Sequence, residues 1–442
     1  MNARILSSVS MAILLLGSAC LAPASPPAGV RWLGEMEIAS GRGEKGPWQQ
    51  NDSRYDYVDD PSVAIHASGD IDVAWVAQKT KDVFFQTISA DGARQGEPVN
   101  VSRNPATFSW LPRLVISPKN PKKIYILWQE IIFSGGSHGG DILFAYSEDG
   151  GATFSAPRNL SSSMGGDGKG RLTRDIWSNG SLDLALDNKG ALYAAWTEYE
   201  GMLWLARSSD GGKSFSLPRR IAGDKRLPAR APSLATGPGN TIYLAWTVGE
   251  DPAAAIRVAR SDDGGDTFGK PQLVGAGQGH ADAPKLALDA GGVLHLAYAQ
   301  STGGPLGRYL VRHARSLDGG KSFEAPRTIS TPSPDVPTGA AYPALTSDAQ
   351  GRLLMLWEAY PDPASAPRGL AFAVSADGGK TFTQPAMVPG SRDPAGGVNG
   401  SQQGMLMKKL AMNGNGAIAV VNSSLEPEER SRIWLMRGTW PR

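Results

Sequence analysis

The sequence predicts an all-β protein built from repeated four-stranded antiparallel sheets, and three observations support this. Two short alternating apolar stretches joined by a tight polar turn recur seven times along the chain. A third apolar stretch follows each of the first six pairs, and a fourth follows that. The 54 glycines and 32 prolines among 442 residues interrupt helices repeatedly. Four strands in every roughly 50 to 70 residues is typical of a β-propeller blade, so we expect a seven-bladed β-propeller.

Each predicted blade begins with a hairpin of two strands around an Asn, Asp or Gly turn. In six repeats the second strand ends in an aromatic residue, which we expect to pack between adjacent blades. The seven hairpins begin at Pro61, Pro112, Leu182, Pro232, Pro284, Pro343 and Met405. The six aromatic residues are Trp75, Trp128, Trp196, Trp246, Tyr298 and Trp357.

A second signature, S-x-D-G-G-x-[ST]-F, follows the third strand of five repeats, and we call these segments SxDGG turns. The aspartate can accept hydrogen bonds across the turn, and glycine permits a positive φ angle. The Phe anchors the returning strand, so we predict a structural role for the turn. The aspartates concerned are Asp149, Asp210, Asp263, Asp318 and Asp377. The first repeat keeps a degenerate copy at residues 89–92.

The seventh repeat supplies two strands and a third one from Ile433 to Arg437. The segment from Arg31 to Ile38 is predicted to be its missing fourth strand, which would close the ring and remove an exposed edge. A row of immunoglobulin-like sandwiches is disfavoured, because each such domain needs about 100 residues.

The first 20 residues have the pattern of an export signal. A positively charged start precedes a mostly apolar run from Ile5 to Leu16, which is too short to span a bilayer. Because the run leads to the only cysteine, Cys20, it resembles a bacterial lipoprotein signal, and we expect Cys20 to be lipidated. An ordinary signal that is removed together with Cys20 is the alternative. Residues 21–29 are interpreted as a Pro/Ala tether, and residues 30–442 as a single propeller domain.

This pattern predicts an exported protein that is lipid-anchored in the bacterial cell envelope, or otherwise periplasmic or secreted. The balance of 44 basic and 42 acidic residues gives no general attraction to nucleic acid. Five histidines without close ligand spacing give no reason to expect a metal or another cofactor. We expect a monomer that contacts a membrane only through its lipid anchor.

The predicted connections are unequal on the two faces of the ring. Turns on the SxDGG side are tight, whereas the opposite face carries long connections rich in Gly, Pro and Arg. Long loops on a rigid scaffold commonly carry function, so we expect the site on this face, over the mouth of the central channel. The long connections are residues 130–141, 161–179, 330–342, 360–368 and 390–403.

The residues predicted around this mouth combine acids, arginines and aromatic rings, a mixture that suits a carbohydrate. Aromatic rings stack on sugar faces, and arginine forks suit a carboxylate or a sulfate. Alternatively, the acids pair with neighbouring arginines and the rings cap the channel. The predicted substrate-binding residues are Arg113, Arg174, Arg230, Asp59, Trp110, Asp175, Trp177, His280, Asp282 and Glu358.

The SxDGG turns match the Asp-box, and residues 30–440 resemble the sialidase-like (BNR) Asp-box propeller superfamily. That superfamily contains sialidases, other glycosidases and proteins without enzymatic activity. Sialidases use three arginines, a tyrosine activated by a glutamate, and an aspartate as acid/base. The resemblance therefore implies Tyr342 as nucleophile, Glu198 as its activator (with Glu358 as the alternative) and Asp60 as acid. The chain departs from sialidases in having seven repeats rather than six blades, and in lacking their first arginine motif at Asp60-Pro61.

Three functions are compatible with these features. The first is a surface propeller that binds a glycan, with or without hydrolysing it as a sialidase-type exo-glycosidase. The second is a non-catalytic scaffold that binds a protein or peptide through the same face. The third, a metal-dependent lyase or hydrolase, is the least supported, because His280 with Asp282 is the only His–carboxylate pair predicted at the mouth.

Overall fold

A computed structural model describes residues 29–47, 49, 52–134, 137–161, 181–198, 201–224, 226–248, 254–361, 367–392 and 408–441. The regular structure of these residues is β-strand throughout, and none of them belongs to a helix that could cross a membrane. The predicted export signal, Cys20 and nearly all of the predicted tether lie outside the described residues.

The strands succeed one another along the chain from Arg31 to Thr439. They are β1 (Arg31–Gly41), β2 (Glu44–Lys45), β3 (Tyr55–Asp56), β4 (Val58–Ile65), β5 (Ile71–Ala77), β6 (Asp82–Ile88), β7 (Arg94–Asn100), β8 (Phe108–Ile116), β9 (Ile124–Ser134), β10 (Ser137–Ser147), β11 (Arg158–Asn159), β12 (Leu182–Leu186), β13 (Leu192–Thr197), β14 (Leu203–Ser208), β15 (Arg219–Ala222), β16 (Arg230–Thr236), β17 (Ile242–Thr247), β18 (Ile256–Ser261), β19 (Gln272–Val274), β20 (His280–Leu288), β21 (Leu294–Ser301), β22 (Leu310–Ser316), β23 (Arg327–Thr328), β24 (Gly339–Ser347), β25 (Leu353–Tyr360), β26 (Leu370–Ser375), β27 (Ala386–Met387), β28 (Leu410–Met412), β29 (Ala417–Glu426) and β30 (Arg430–Thr439).

Seven four-stranded antiparallel sheets form the blades of a β-propeller, which confirms the predicted fold. Blades 1 to 6 each consist of four consecutive strands, from β4–β7 to β24–β27. Blade 7 has the order β1-β30-β29-β28 and so contains the first strand of the chain. The first strands of neighbouring blades contact one another around the ring, including β24 with β28 and β28 with β4. These first strands therefore surround the central channel.

The pairing of β1 with β30 closes the ring, as the sequence predicts. It runs antiparallel from Arg31 opposite Thr439 to Gly41 opposite Ser431, with two register shifts. β1 occupies the outer edge of blade 7, so the edge of β30 is hydrogen-bonded rather than exposed. The two-stranded sheet of β2 and β3 lies between this closing strand and blade 1 in the chain.

The aromatic residues that end the second strands pack between blades. Trp128 of blade 2 lies in one apolar cluster with Val76 and Phe85 of blade 1, and Trp196 of blade 3 lies in a cluster with Phe108 of blade 2. Burial of such a side chain contributes roughly 1.5–3 kcal/mol. All six are at most 4% exposed, namely Trp75, Trp128, Trp196, Trp246, Tyr298 and Trp357.

The SxDGG turns hold themselves together through their aspartates. Asp149 Oδ1 accepts hydrogen bonds from Ser147 Oγ at 2.7 Å and from Thr153 N at 3.0 Å, and Oδ2 accepts one from Thr153 Oγ1 at 2.6 Å. The hydrogen bonds from Thr153 and Ser147 lower the pKa of Asp149 to about 2. The same pattern recurs at Asp210, Asp263, Asp318 and Asp377.

Each of these turns also sits against the preceding blade. Gly151 has a φ of 87°, and a Cβ added there would collide with the ring of Phe85 in blade 1. The second glycine is therefore required both for its backbone conformation and for the close approach of two blades. Equivalent approaches to the previous blade occur at Gly212, Gly265, Gly320 and Gly379.

One predicted connection has a different form from the one expected. The sequence places a long loop at residues 130–141, but β9 extends to Ser134 and β10 begins at Ser137. Strand pairing continues through Glu130 opposite Asp141 up to Ser134 opposite Ser137. The prediction of a loop was wrong at this position, because this glycine-rich segment continues the hairpin beyond the level of the other blades.

We expect Asp149→Asn to destabilise the protein by about 1 kcal/mol, because the amide cannot accept all three hydrogen bonds of the carboxylate. The low pKa of Asp149 means that its stabilising contribution is complete above the unfolded pKa, near 4, and is lost as the pH falls towards about 2. Urea unfolding of both forms should therefore differ at pH 7 and converge in acid. Asp335→Asn, at an exposed site, is the control. Equal stability of Asp149→Asn and wild type at pH 7 would contradict the assigned role.

Candidate functional site

A strained bulge recurs at the mouth end of the first strand in five blades. In each, the residue before a proline has a positive φ of 47 to 53°, and the pairing register shifts around it. Such a conformation costs about 1–3 kcal/mol per residue, and bulges redirect side chains at the ends of strands. The residues concerned are Asp60, Leu111, Ala231, Ala283 and Tyr342.

Five side chains come together where the bulges of blades 4, 5 and 6 meet, and we call them the mouth cluster: Arg230, His280, Asp282, Tyr309 and Tyr342. Arg230 begins β16, His280 and Asp282 lie in β20, and Tyr342 lies in β24. The rings of His280 and Tyr309 meet edge to face, with centroids 6.0 Å apart. His280 is 1% exposed and Arg230 is 6% exposed, whereas the other three are partly exposed.

Burial and mutual charge shift the protonation of the mouth cluster. Desolvation raises the pKa of Asp282, which the Ala283 N–H and the charges of His280 and Arg230 oppose. Burial, and then the charge of Asp282, raise the pKa of Tyr342. The pKa of Tyr309 is raised by burial and then by Asp282. Both phenols are therefore hydrogen-bond donors at neutral pH, and Asp282 retains a proton to higher pH than an exposed aspartate.

The mouth cluster contains the groups needed to bind an anion and to move a proton beside it. A guanidinium pairs with a carboxylate or sulfate through two parallel hydrogen bonds. An imidazole nitrogen can accept a proton, and a buried phenol can donate one to an oxygen. Of the predicted site residues, Arg230, His280, Asp282 and Tyr342 are brought together in this cluster.

Four other predicted site residues form a buried charged group together with Lys409, and we call these five side chains the channel network: Asp59, Asp60, Arg113, Glu358 and Lys409. All five are at most 2% exposed. Lys409 forms an ion pair with Glu358. Burial lowers the pKa of Lys409 well below its usual value, and Lys285 lowers it further, whereas Asp59 and Asp60 oppose the shift.

Hydrogen bonds to neighbouring blades fix the acids of the channel network. Asp59 Oδ1 accepts a hydrogen bond from Ser423 Oγ of blade 7 at 2.6 Å, and Asp60 Oδ2 accepts one from the Leu111 N–H of blade 2 at 3.0 Å. These contacts connect blade 1 to both of its neighbours. They direct the carboxylate predicted as the acid, Asp60, at the backbone of blade 2.

Arg113 is likewise directed at the backbone. Its Nε donates to Leu182 O at 3.0 Å, and its Nη1 donates to Leu111 O at 3.3 Å and to Pro112 O at 3.1 Å. Desolvation lowers the pKa of Arg113, and the charges of Asp183 and Asp60 oppose this shift. Arg113 therefore connects blades 2 and 3 within the channel.

The remaining predicted site residues lie apart from the mouth cluster or outside the described residues. Glu198 follows β13, and its Oε2 is buried without a hydrogen-bond partner among the described residues. Trp110 is 3% exposed and packs against Phe108. Arg174, Asp175 and Trp177 lie outside the described residues.

The sequence did not identify Tyr309, Lys285, Lys408 or Lys409 as site residues. Tyr309 precedes β22 in a segment without a motif, so no signal indicated it. The lysines had a signal, because Lys408-Lys409 begin an otherwise apolar hairpin and Lys285 directly follows a bulge proline. Charged residues at such positions of a first strand lie along the channel.

Two histidines of blade 5, His295 and His313, lie side by side in the interior. His295 Nδ1 is 3.2 Å from His313 Nε2, and His295 Nε2 is 3.2 Å from Asp289 Oδ2. Burial lowers the pKa of His313 to about 3, so its ring is neutral. Within the ranges that the structure describes, no three His, Cys, Asp or Glu residues are grouped closely enough to hold a metal ion.

Comparison with known proteins identifies the fold but no family. No protein-family model and no curated protein matches the chain. A crystal structure of a Dyadobacter fermentans protein of unknown function is 15% identical, covers 93% of this chain and 100% of its own, and has a TM-score of 0.54. An ulvan lyase, a polysaccharide lyase solved with -[GlcA(1-4)Rha3S]-, is 14% identical, covers 91% and 95%, and has a TM-score of 0.57.

A more distant similar structure is the intramolecular trans-sialidase from Ruminococcus gnavus. It is 14% identical, covers 71% of this chain and 92% of its own, and has a TM-score of 0.46. A glycan-acting enzyme, the ulvan lyase, therefore occurs among the structures that share this fold. At these identities the likeness establishes a shared fold.

We expect Lys409→Met to destabilise the protein by about 3 kcal/mol, because it removes the cation from a buried ion pair. The double variant Lys409→Met/Glu358→Leu should recover part of this loss, because no charge of the pair is then left buried. Urea unfolding measures both effects. Arg42→Met removes one partner of an exposed pair and should change stability by less than about 0.5 kcal/mol. A double variant as unstable as the sum of its single variants would contradict the coupling.

Proposed function

We propose that the protein binds an acidic glycan over the mouth of the central channel and cleaves it there. The mouth cluster is the observation that carries this proposal. It combines an arginine for the acidic group, an imidazole and two protonated phenols within three adjacent blades. Similarity in fold to the ulvan lyase, whose ligand contains glucuronate, supports an acidic polymer as the substrate.

The composition of the mouth cluster favours β-elimination from a uronate. Hydrolysis by two acids requires a pair of carboxyl groups across the scissile bond, whereas the mouth cluster contains one carboxyl group, Asp282. Elimination requires a base for the proton next to the carboxylate, an acid for the leaving oxygen and a cation that stabilises the developing negative charge. The mouth cluster contains each of these groups.

In the proposed reaction Arg230 pairs with the uronate carboxylate and stabilises the charge that develops when C5 loses its proton. The imidazole of His280 accepts that proton. Tyr342 donates its phenolic proton to the glycosidic oxygen as the bond from C4 to that oxygen breaks. The products are an unsaturated uronate and a new hydroxyl end, and the proton on His280 returns to Tyr342 through solvent.

Sialidase-type hydrolysis is a second candidate, because Tyr342 lies close enough to Asp282 for the carboxyl charge to affect its pKa. In that reaction the tyrosine would attack the sugar and a carboxyl group would activate it. The predicted set of Tyr342, Glu198 and Asp60 would then act with Arg174 and Arg230. The two reactions differ in product, because only elimination creates a carbon–carbon double bond.

We also propose that the protein is exported and held in the cell envelope through a lipid on Cys20. A glycan-cleaving site would then face polymers outside the cytoplasmic membrane. Metabolic labelling with a fatty-acid analogue should label wild type and not Cys20→Ser. Labelling of both forms would contradict lipidation at Cys20.

Tyr342→Phe should lower kcat at least about 100-fold, because it removes the proton donor and leaves the ring. Two assays are compared. Cleavage of uronate-containing polysaccharides is monitored by the ultraviolet absorbance of the unsaturated product, and cleavage of sialosides is monitored by the release of sialic acid. Tyr146→Phe, at the SxDGG end of β10, is the matched control. Sialic acid release without unsaturated product would favour hydrolysis. Glycan binding without turnover would contradict cleavage, and absence of both binding and turnover would favour the protein-binding scaffold.

Arg230→Lys should raise KM for an acidic glycan about tenfold, because lysine keeps the charge but not the fork of two hydrogen bonds. The measurement is steady-state kinetics on the native polymer and on a carboxyl-reduced form of it. Arg219→Lys, at an exposed position in β15, is the control. An unchanged KM for Arg230→Lys would contradict recognition of the acidic group by this arginine.

A further inference from the structure

A cavity of about 370 Å³ occupies the central channel on the SxDGG side of the strand bulges, and Arg113 and Lys409 of the channel network line it. It extends from the level of Arg113, Asp183 and Lys285 to the ends of the first strands, at Leu186 and Ser347. One water molecule takes about 30 Å³ in the liquid. The cavity therefore has room for a small polyatomic ion together with several waters.

The charges that line this cavity are mostly positive. Arg113, Lys285, Lys408 and Lys409 line it, and Asp183 is the acidic residue of its lining. Arg113, Asp183 and Lys285 hold equivalent registers, because each pairs with the residue just before the aromatic end of the second strand. The cationic groups thus come from blades 2, 5 and 7 and converge on one space.

The single acid of this lining is already engaged. Asp183 Oδ1 accepts a hydrogen bond from Leu184 N at 3.0 Å, and Oδ2 accepts one from Leu234 N at 2.8 Å. Lys408 Nζ donates to Leu114 O at 2.9 Å. Across the parts of the chain that the structure describes, no hydrogen-bond partner of Lys285 Nζ occurs.

Desolvation makes these cations costly to the fold. It lowers the pKa of Lys285 to about 8, with the charges of Arg113 and Lys408 adding to the shift and that of Asp183 opposing it. It also lowers the pKa of Lys408. Lys285 and Lys408 are partly exposed to the channel, and a partly desolvated ammonium that lacks a compensating charge or hydrogen bond destabilises the folded state. An anion in the cavity would supply a compensating charge and hydrogen-bond acceptors.

We propose that this cavity binds a small tetrahedral oxyanion, sulfate or phosphate. Such an ion has hydrogen-bond acceptor oxygens that point in several directions. It can therefore bind cations that converge from three blades. The oxyanion can be free or can be an ester group of a glycan. The lining of the cavity includes no residue of the mouth cluster, so either proposal can fail without the other.

The test measures thermal unfolding and titration calorimetry of the mature protein with sodium sulfate, with sodium chloride at matched ionic strength, and with a sulfated monosaccharide. Sulfate should raise Tm by about 3 °C at a concentration about 100 times Kd, with one site by calorimetry, and chloride should not. A response to sulfate alone assigns the site to the free ion, and a response to both ligands extends it to the ester.

Lys285→Met is the informative variant, because methionine keeps most of the length of the side chain and removes its charge. Without sulfate it should unfold at a higher temperature than wild type, and its sulfate response should be lost. Lys285→Gln provides the same test if Lys285→Met does not fold. Lys119→Met, at an exposed turn, should keep the full response. Equal effects of sulfate and chloride on wild type, or a sulfate response that survives in the Lys285 variants, would overturn the proposal.

Discussion

The pairing of β1 with β30 is the constraint on which the rest of the molecule depends. It joins the two ends of the described chain within one sheet and leaves no open gap between blades 7 and 1. Because the ring is closed, the first strands of all seven blades surround one channel. Lys408 and Lys409 of blade 7 can then reach residues of blades 2 and 6. Without closure, neither the mouth cluster nor the channel network would have a fixed geometry.

Much of this architecture could be predicted from the sequence, because blade structure is local. Each hairpin and each SxDGG turn is specified within about 10 residues by turn chemistry and alternation. The segment at Arg31–Ile38 could be assigned to the last blade because an unpaired strand at each end of a repeat array has one natural partner. The extension of β9 and β10 could not be predicted, because residues 130–141 are rich in glycine and lack a clear alternation.

The site was less predictable, because its geometry depends on residues from different blades. Asp60 and Tyr342 occupy equivalent bulge positions and were predicted to act together. The Asp60 carboxylate instead accepts the Leu111 N–H of the next blade, whereas Tyr342 lies beside Asp282. The packing of the neighbouring blade determines where the side chain of a left-handed residue before a proline lies. The periodicity of the sequence does not specify this packing. The recurrence of X-Pro at five strand starts was nevertheless visible in the sequence.

Strained and charged residues of the channel destabilise the folded state, and packing between the blades must offset this cost. Five left-handed residues and a set of buried cations each cost stability, and the aromatic residues between blades supply the compensation. A charge is not needed at this level of the first strand, because Ser233 and Ala344 occupy the equivalent positions of blades 4 and 6. Arg113 and Lys409 also connect neighbouring blades, through Leu182 O and Glu358, so Lys285 is the channel cation that a ligand explains better than the fold does. The channel thus has two chemically distinct parts, the mouth cluster and the cationic cavity, which share no residue.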